Sequence, residues 1–273
     1  MFINKILAML FITISITATD IQNKHFVIII PSYNNKYWFQ RNLDSVITQN
    51  YDDYEAVYID DASKDKTAEL VEQYIKERNL QDKIKLIKNT QNKGALHNLY
   101  DAIHNCKPTD IVITLDADDW FAKNNVLSLL NNIYQDTNVW MTYGNYVDYP
   151  TYTHGSAQQV PHEIISDNNF RNYPFWVTTH LRTFYAGLFQ KIKYTDLLYE
   201  TRFYPMAWDC ALMYPMLEMS GMHSKFISDI LYVYNIATPI NDMKTNKELQ
   251  CRLADEIKNK EKYQPIERLF NEE

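Results

Sequence analysis

The chain has 273 residues, of which 46% are hydrophobic and 22% charged, the usage of an ordinary globular protein with one large domain or two small ones. Its formal net charge of −7 argues against a nucleic-acid-binding protein, because such proteins carry a basic face. The three cysteines, Cys106, Cys210 and Cys251, are isolated in the sequence. They indicate buried thiols rather than a disulfide framework or a CxxC metal site.

The first 20 residues, MFINKILAMLFITISITATD, form a segment of their own. One lysine precedes an apolar run from Ile6 to Ile16, which is shorter than the roughly 20 apolar residues of a membrane-spanning helix. The run is typical of a secretory signal peptide, with cleavage near Ala18, and a short membrane anchor is the alternative. We therefore expect residues 1–19 to lie outside the fold. From this segment we expect the protein to be located in the lumen of the secretory pathway or on a membrane, with the cytoplasm as the alternative.

Apolar strands and amphipathic helices alternate after this segment. The run FVIII, Phe26–Ile30, is uninterrupted, as expected of a strand covered on both faces. Three more strands are predicted at YEAVYI, KIKLI and DIVITL, and helices at positions 38–47, 67–78, 95–105 and 126–134. Four strand–helix units in a row predict an α/β fold, with a mostly parallel, doubly wound sheet and helices on both faces.

Polar residues follow each predicted strand, at the edge where the ligands of such sheets bind. The stretches PSYNN, DDASKD, NTQNKG and DADD occupy positions 31–35, 60–65, 89–94 and 116–119. The first glycine of the chain is Gly94, so no GxGxxG follows the first strand, and there is no GxxxxGK[ST]. Classical dinucleotide binding and P-loop phosphate binding are therefore disfavoured.

The stretch ITLDADDWF places three carboxylates within four positions. Their mutual repulsion is offset if a hard cation such as Mg²⁺ or Mn²⁺ binds there, since these ions take carboxylate and phosphate oxygens. We expect Asp116 and Asp118 to bind the metal and Asp119 to orient the loop. The alternative is that Asp118 or Asp119 caps the following helix.

Four stretches, FVIIIPSYNN, YEAVYIDDASKDKT, NKGALHN and ITLDADDWF, stand in this order on consecutive strand ends. Together they resemble the inverting family 2 glycosyltransferases with the GT-A fold, over about Phe26 to Tyr234. The resemblance implies metal-dependent transfer of a hexosyl or N-acetylhexosaminyl group from a nucleotide diphosphate sugar, by preference a UDP-sugar. The implied acceptor is a hydroxyl group of a saccharide, a lipid-linked molecule or a protein.

The resemblance also implies an organisation of the chain. Residues 20–240 would form the glycosyltransferase domain, with a nucleotide-binding half over 20–143 and an acceptor half over 144–240. A C-terminal loop and a charged surface helix would follow over 241–273. On the loop, the positions Asn241, Asp242 and Lys244 suggest a lid over the nucleotide sugar, with a solvated loop as the alternative.

Carried over by position, the resemblance implies roles for the donor-site residues. Asp61 would accept a hydrogen bond from uracil N3–H, with a turn or cap role as the alternative. In the third motif, His97–Asn98 stands where the family often has an arginine–asparagine pair. Asp116 would bind ribose and metal, and Asp118 metal and β-phosphate. The remaining nucleotide-binding positions are Pro31, Tyr33 and Asn34, which flank the base, and Lys93 and Gly94.

The acceptor side is indicated by PMAWDCALMYPMLEMSG, which resembles the segment that carries the general base of the family. Asp209 takes the position of the base, and Trp208 stands where the usual pattern has glutamate. A helix cap is the alternative for Asp209. In THLRTF, Arg182, together with His180, is predicted to pair with the donor diphosphate or an acidic acceptor. A structural arginine is the alternative there.

Two other classes of protein share parts of this pattern. A sugar-phosphate nucleotidyltransferase would have a glycine-rich activating loop after the first strand, and PSYNNKYW is not such a loop. A non-catalytic nucleotide-sugar-binding module would be expected to lack the metal aspartates, which are present here. Glycosyl transfer is therefore the favoured function.

Overall fold

The computed structural model describes residues 21–238 and 246–270. The predicted signal or anchor segment and the candidate lid at Asn241–Lys244 lie outside the described residues. Across the ranges that are described, no helix is both long enough and apolar enough to cross a membrane.

Each strand–helix unit predicted from the sequence is present. The strands are β1 (Phe26–Ser32), β2 (Tyr54–Asp60), β3 (Ile84–Lys88) and β4 (Ile111–Thr114). The helices between and after them are α1 (Phe39–Ile47), α2 (Thr67–Glu77), α3 (Ala95–His104) and α4 (Val126–Ile133). Each helix buries one apolar stripe, as in α1, where Phe39, Leu43 and Val46 are spaced to face the sheet.

The second half of the chain adds strands and helices, most of which the sequence analysis did not assign individually. The strands are β5 (Trp120–Phe121), β6 (Met141–Tyr149), β7 (Thr179–Tyr185), β8 (Leu198–Tyr199), β9 (Arg202–Phe203) and β10 (Ser224–Asn235). The helices are α5 (His162–Ser166), α6 (Ala186–Phe189), α7 (Trp208–Ser220) and a C-terminal helix, α8 (Lys247–Lys258). Short 3₁₀ turns lie at Phe170–Asn172, Tyr194–Leu197 and Gly221–His223.

Eight strands form one sheet in the order β3-β2-β1-β4-β7-β6-β10-β5. The pairs β2–β3, β1–β2, β1–β4 and β6–β10 are parallel, whereas β7 is antiparallel to both of its neighbours and β5 to β10. The prediction of a mostly parallel α/β sheet is confirmed, with β7 as an antiparallel strand in its middle. The predicted boundary at residue 143 falls inside β6, and the sheet runs through both halves.

The core lies on both faces of the sheet. All five residues of Phe26–Ile30 are at most 1% exposed, although successive side chains of a strand point to opposite faces. Burial of every position therefore requires cover on both sides, which the helices supply. Helix α7 is also central, because Cys210–Ser220 are all buried. This placement fixes the N-terminal end of α7, where Asp209 lies.

Candidate active site

The carboxyl ends of the parallel strands meet at one edge of the sheet. Ser32 at the end of β1 is in register with Asp60, and Asp60 is in register with Lys88 at the end of β3. On the other side of β1, Thr114 of β4 pairs with Ile29 and with Arg182 of β7. The polar stretches that follow these strands therefore lie along a common rim, as the sequence predicts.

A cleft above this rim collects residues from both halves of the chain. The predicted residues that line it are Pro31, Asp116, Asp118, His180, Arg182 and Asp209. The other lining residues are Asn35, Ala95, Ala117, Ala207, Trp208, Tyr234 and Gln250. The predicted metal ligands and the predicted base thus share one cavity, although Asp116 and Asp209 are far apart in sequence.

The remaining donor-site predictions lie in the loops beside this cleft. The backbone N–H of Asn34 donates to Ser63 Oγ at 2.9 Å, and Asn34 Oδ1 accepts from Lys64 N–H at 2.8 Å. These two bonds join the loops after β1 and β2. Tyr33 is half-buried. The ammonium group of Lys93 lies 3.3 Å from Asp101 Oδ2, so the structure pairs it with a neighbouring helix.

Asp61 connects the loops after β2 and β3. Its Oδ1 accepts from Lys93 N–H at 2.9 Å and from the Asn89 amide at 2.8 Å, and its Oδ2 accepts from Gly94 N–H at 2.8 Å. A carboxylate has about four acceptor positions, so three bonds leave one for a nucleobase N–H. The structural role is observed, and the base-binding role stays a prediction. Asp60, in contrast, accepts from Ser63 N–H and is a turn residue.

The backbone of the DADD loop is held from two sides. The Asn42 amide donates to the carbonyl oxygens of Asp116 and Asp119, at 3.0 and 2.8 Å. The Asn235 amide donates to the carbonyl oxygen of Asp118 at 3.1 Å. The capping alternative for Asp118 and Asp119 is wrong, because this loop leads into β5 and α4 begins later, after Asn125.

Asp119 points away from the cleft into the protein. Its Oδ2 accepts from the Tyr232 hydroxyl at 2.6 Å and its Oδ1 from Asn235 N–H at 2.7 Å. Burial, together with the nearby charges of Asp118 and Asp116, raises the pKa of the Asp119 carboxyl group well above its ordinary value. Asp119 therefore anchors the loop to β10, which matches the orienting role expected of it.

Asp116 and Asp118 are the two carboxylates of the loop that line the cleft. Within residues 21–238 and 246–270, no three His, Cys, Asp or Glu side chains are grouped closely enough to hold a metal ion by themselves. Two carboxylates completed by phosphate and water oxygens are, however, the usual way in which a protein holds Mg²⁺ in the presence of a nucleotide. The donor set is therefore suited to a cation that binds together with a diphosphate.

Asp209 lies in the first turn of α7. The residue at the N-cap is Ala207, so Asp209 is not the N-cap residue, although its carboxylate accepts from a backbone N–H of the first turn. Asp209 Oδ2 accepts from Arg182 Nη2 at 3.0 Å, and Asp209 Oδ1 accepts from Cys210 N–H at 2.9 Å. The side chain of Asp209 is 25% exposed to solvent, whereas that of Arg182 is 3% exposed. A partly exposed carboxylate thus faces the cleft with a buried cation behind it.

Residues 27–193 match the family described as glycosyl transferase family 2. This match spans more than half of the chain and includes the strand ends that form the rim. The chain belongs to glycosyltransferase family 2.

Curated relatives of this family 2 glycosyltransferase match part of it. An uncharacterised glycosyltransferase of Haemophilus influenzae is 32% identical over 124 residues, which are 44% of this chain and 46% of the relative. The UDP-Glc:alpha-D-GlcNAc-diphosphoundecaprenol beta-1,3-glucosyltransferase WfgD of Escherichia coli is 33% identical over 120 residues, 44% of each protein. The chain therefore spans less than half the length of these relatives.

Solved structures show the same fold. Residues 1–349 of S. aureus TarS in complex with UDP-GlcNAc superpose with a TM-score of 0.61 and 19% identity, over 81% of this chain and 61% of that one. The mannosyltransferase PcManGT from Pyrobaculum calidifontis, in complex with GDP-Man and Mn²⁺, gives a TM-score of 0.52 and 18% identity, over 78% and 59% of the two chains. At these identities the likeness confirms the predicted GT-A-like fold.

Several cleft residues of this glycosyltransferase were not predicted as site residues. Gln250 comes from α8, which the sequence analysis took for a charged surface helix, and its buried Oε1 has no hydrogen-bond partner in the part of the chain described. Trp208 and Tyr234 also line the cleft. The break in the charge pattern at Gln250 is too weak a signal to identify it, since only the packing of α8 against α7 brings it to the site.

His180 lines the cleft and packs against Tyr232 and Arg182. Its ring stacks on Tyr232, with the ring centroids 4.4 Å apart, and its Nδ1 lies 3.4 Å from Arg182 Nη1. Burial, and secondarily the charge of Arg182, lowers the pKa of His180 well below its usual value. The imidazole is therefore neutral at physiological pH and can accept a hydrogen bond from the guanidinium group.

Proposed function

We propose that this family 2 glycosyltransferase is a metal-dependent, inverting enzyme that transfers a hexosyl or N-acetylhexosaminyl group from a UDP-sugar to an acceptor hydroxyl group. The observation that carries the proposal is the shared cleft, in which Asp116 and Asp118 of the DADD loop lie in the same cavity as Asp209 of α7. A donor site and a candidate base in one cavity are what a direct displacement requires.

In the proposed reaction, Asp209 takes the proton of the acceptor hydroxyl as its oxygen attacks the anomeric carbon. The new C–O bond forms while the bond to the diphosphate breaks, and the bonding electrons leave with the diphosphate. Attack opposite the leaving group inverts the anomeric configuration. A positioned base of this kind contributes about 10²–10⁴-fold to the rate.

Asp116 and Asp118 would hold a divalent cation, Mn²⁺ or Mg²⁺, next to the diphosphate. When bound, such a cation supplies electrostatic stabilisation of the charge that develops on the leaving group. The mannosyltransferase structure that contains Mn²⁺ supports this part of the proposal at the level of the fold. The loop that carries both aspartates is held by Asn42 and Asn235, which bond the backbone carbonyl oxygens of Asp116 and Asp118.

The UDP-sugar preference is supported by Asp61, which retains one acceptor position at the rim, and by two similar proteins. The TarS structure contains UDP-GlcNAc, and the E. coli relative is named as using UDP-Glc. That relative is also named as acting on a diphosphoundecaprenol-linked saccharide. A lipid-linked saccharide is therefore our first candidate acceptor, ahead of a free saccharide or a protein.

We further propose that residues 1–19 act as a signal peptide or short anchor. This would place the enzyme in the secretory pathway or on a membrane, where a lipid-linked acceptor is accessible, and a cytoplasmic location is the alternative. The test is fractionation of cells that produce the full chain and a variant starting at Asp20. Equal recovery of both forms in the soluble cytoplasmic fraction would contradict a targeting role.

The proposed activity is tested by donor hydrolysis. The purified chain is incubated with UDP-Glc, UDP-GlcNAc, UDP-Gal, UDP-GalNAc and GDP-Man, with Mn²⁺ or with EDTA, and the released nucleoside diphosphate is measured. We expect release from at least one UDP-sugar that depends on Mn²⁺, and NMR of the released sugar should show the inverted anomer. Release of a nucleoside monophosphate, or retention of configuration, would contradict the proposal.

A further inference from the structure

Arg182 is almost completely buried next to Asp209. It lies on β7, the antiparallel strand inserted between β4 and β6, and is 2% exposed. Its Nη2 donates to Asp209 Oδ2 at 3.0 Å, and its Nη1 lies 3.4 Å from the neutral His180 ring. The guanidinium carbon is 6.0 Å from the centre of the Trp208 ring. Its orientation is therefore set by protein groups on three sides.

These contacts restrict the carboxylate of Asp209. Cys210 N–H occupies one acceptor position of Oδ1, and Arg182 occupies one of Oδ2. Because each oxygen bonds a donor fixed in the structure, the plane of the carboxylate is held, and the remaining acceptor positions are left for the cleft.

We propose that Arg182 is a positioning residue, which holds the carboxylate of Asp209 oriented toward the acceptor hydroxyl, and that it is not a ligand of the donor diphosphate. This proposal rests on the proposed function, and it assigns Arg182 a role different from the one predicted from the sequence. His180 supports it, since its neutral ring can accept from Nη1 and so keeps Nη2 directed at Asp209.

The proposal is tested with Arg182→Gln, Arg182→Lys, Asp209→Asn and the double variant Arg182→Gln/Asp209→Asn. Arg41→Gln is the matched control, because Arg41 is an exposed arginine that stacks 3.7 Å over the Trp120 ring. Four quantities are measured for each variant: UDP affinity with Mn²⁺ by calorimetry, kcat and KM of donor hydrolysis, and the melting temperature. Arg182→Lys keeps the positive charge, and it replaces Arg182→Gln in the comparison if the glutamine variant does not fold.

A positioning role predicts that Arg182→Gln lowers kcat by about 10²-fold or more while UDP affinity and donor KM stay within about twofold, since a base contributes 10²–10⁴-fold. Arg182→Lys should recover part of the loss. The double variant should be no slower than Asp209→Asn alone, because both changes remove the same function. The control should behave as the wild type.

Two results would overturn this role while leaving the proposed function intact. One is a loss of UDP affinity of about tenfold or more in folded Arg182 variants, which is expected of a diphosphate ligand. The other is a double variant whose losses multiply, which means that Arg182 and Asp209 act independently. A wild-type chain that hydrolyses none of the donors would overturn the proposed function and this role together.

Discussion

The backbone N–H of Gly94 donates to Asp61 Oδ2 at 2.8 Å, although the two residues are 33 positions apart. Gly94 has a φ of 88°, a conformation that glycine adopts without steric cost, and it is the residue that precedes α3. With the bond from Lys93 N–H to Oδ1, this contact closes the loop after β3 against the end of β2. Asp61 therefore shapes the donor rim before any nucleotide binds.

The role of Asp61 in binding the base can be separated from this structural role. In Asp61→Ala, the donors of Lys93 and Gly94 lose their partner, so we expect a loss of about 1–3 kcal/mol in unfolding free energy. UDP affinity should fall more than the affinity for free diphosphate, measured by competition. Equal losses for both ligands would make Asp61 structural only. Asp82→Ala, at an exposed position, is the control.

Asp118→Asn should abolish metal-dependent UDP binding. The amide has nearly the size of the carboxylate but lacks its charge, and hard cations prefer carboxylate oxygens. We expect a loss of at least about tenfold in UDP affinity with Mn²⁺, and no change in EDTA. Circular dichroism should show an intact fold. Unchanged Mn²⁺-dependent affinity in the folded variant would remove Asp118 from the metal site.

Asp209→Asn should separate chemistry from binding. Asparagine cannot take the proton of the acceptor, so kcat should fall by about 10²–10⁴-fold at saturating donor. Donor affinity should be retained, because the strand ends that form the rim do not include this residue. The melting temperature is measured as well, because the substitution removes the charged partner of the buried Arg182 and can change stability. Near-normal turnover would show that another residue is the base.

Glu218→Ala should destabilise the chain strongly. Glu218 is fully buried and pairs with Arg171 through both of its oxygens, while Arg171 Nη1 also donates to the carbonyl oxygen of Ile257 in α8 at 2.7 Å. Removing one partner leaves a buried charge unpaired, at a cost of about 3–5 kcal/mol. The change in unfolding free energy is measured by urea denaturation of the variant and the wild type.

The control for this change is Glu72→Ala. Glu72 pairs with Lys88 at 2.7 Å on the surface, and exposed pairs contribute about 0–1 kcal/mol. A loss for Glu218→Ala as small as that of the control would show that the buried pair does not hold α8 against α7.

The sequence by itself determined the first half of this protein. Runs such as Phe26–Ile30 specify buried strands, and the spacing of apolar residues in α1 to α4 specifies the helices, because both signals are local. Since parallel strands end at one edge, the stretches at 60–65 and 116–119 could be placed on a common rim without coordinates. The DADD loop was identified in this way, because it directly follows the predicted strand DIVITL.

Only the tertiary structure decided the other half of the site. No local pattern says that β7 inserts antiparallel between β4 and β6, which places Arg182 against Asp209, or that α8 brings Gln250 into the cleft. The sequence assigned Asp119 to orienting the loop, but no pattern identified its partner Tyr232, which lies more than 100 positions away. These contacts depend on packing between distant segments, and residue type and spacing along the chain do not encode which distant segments meet.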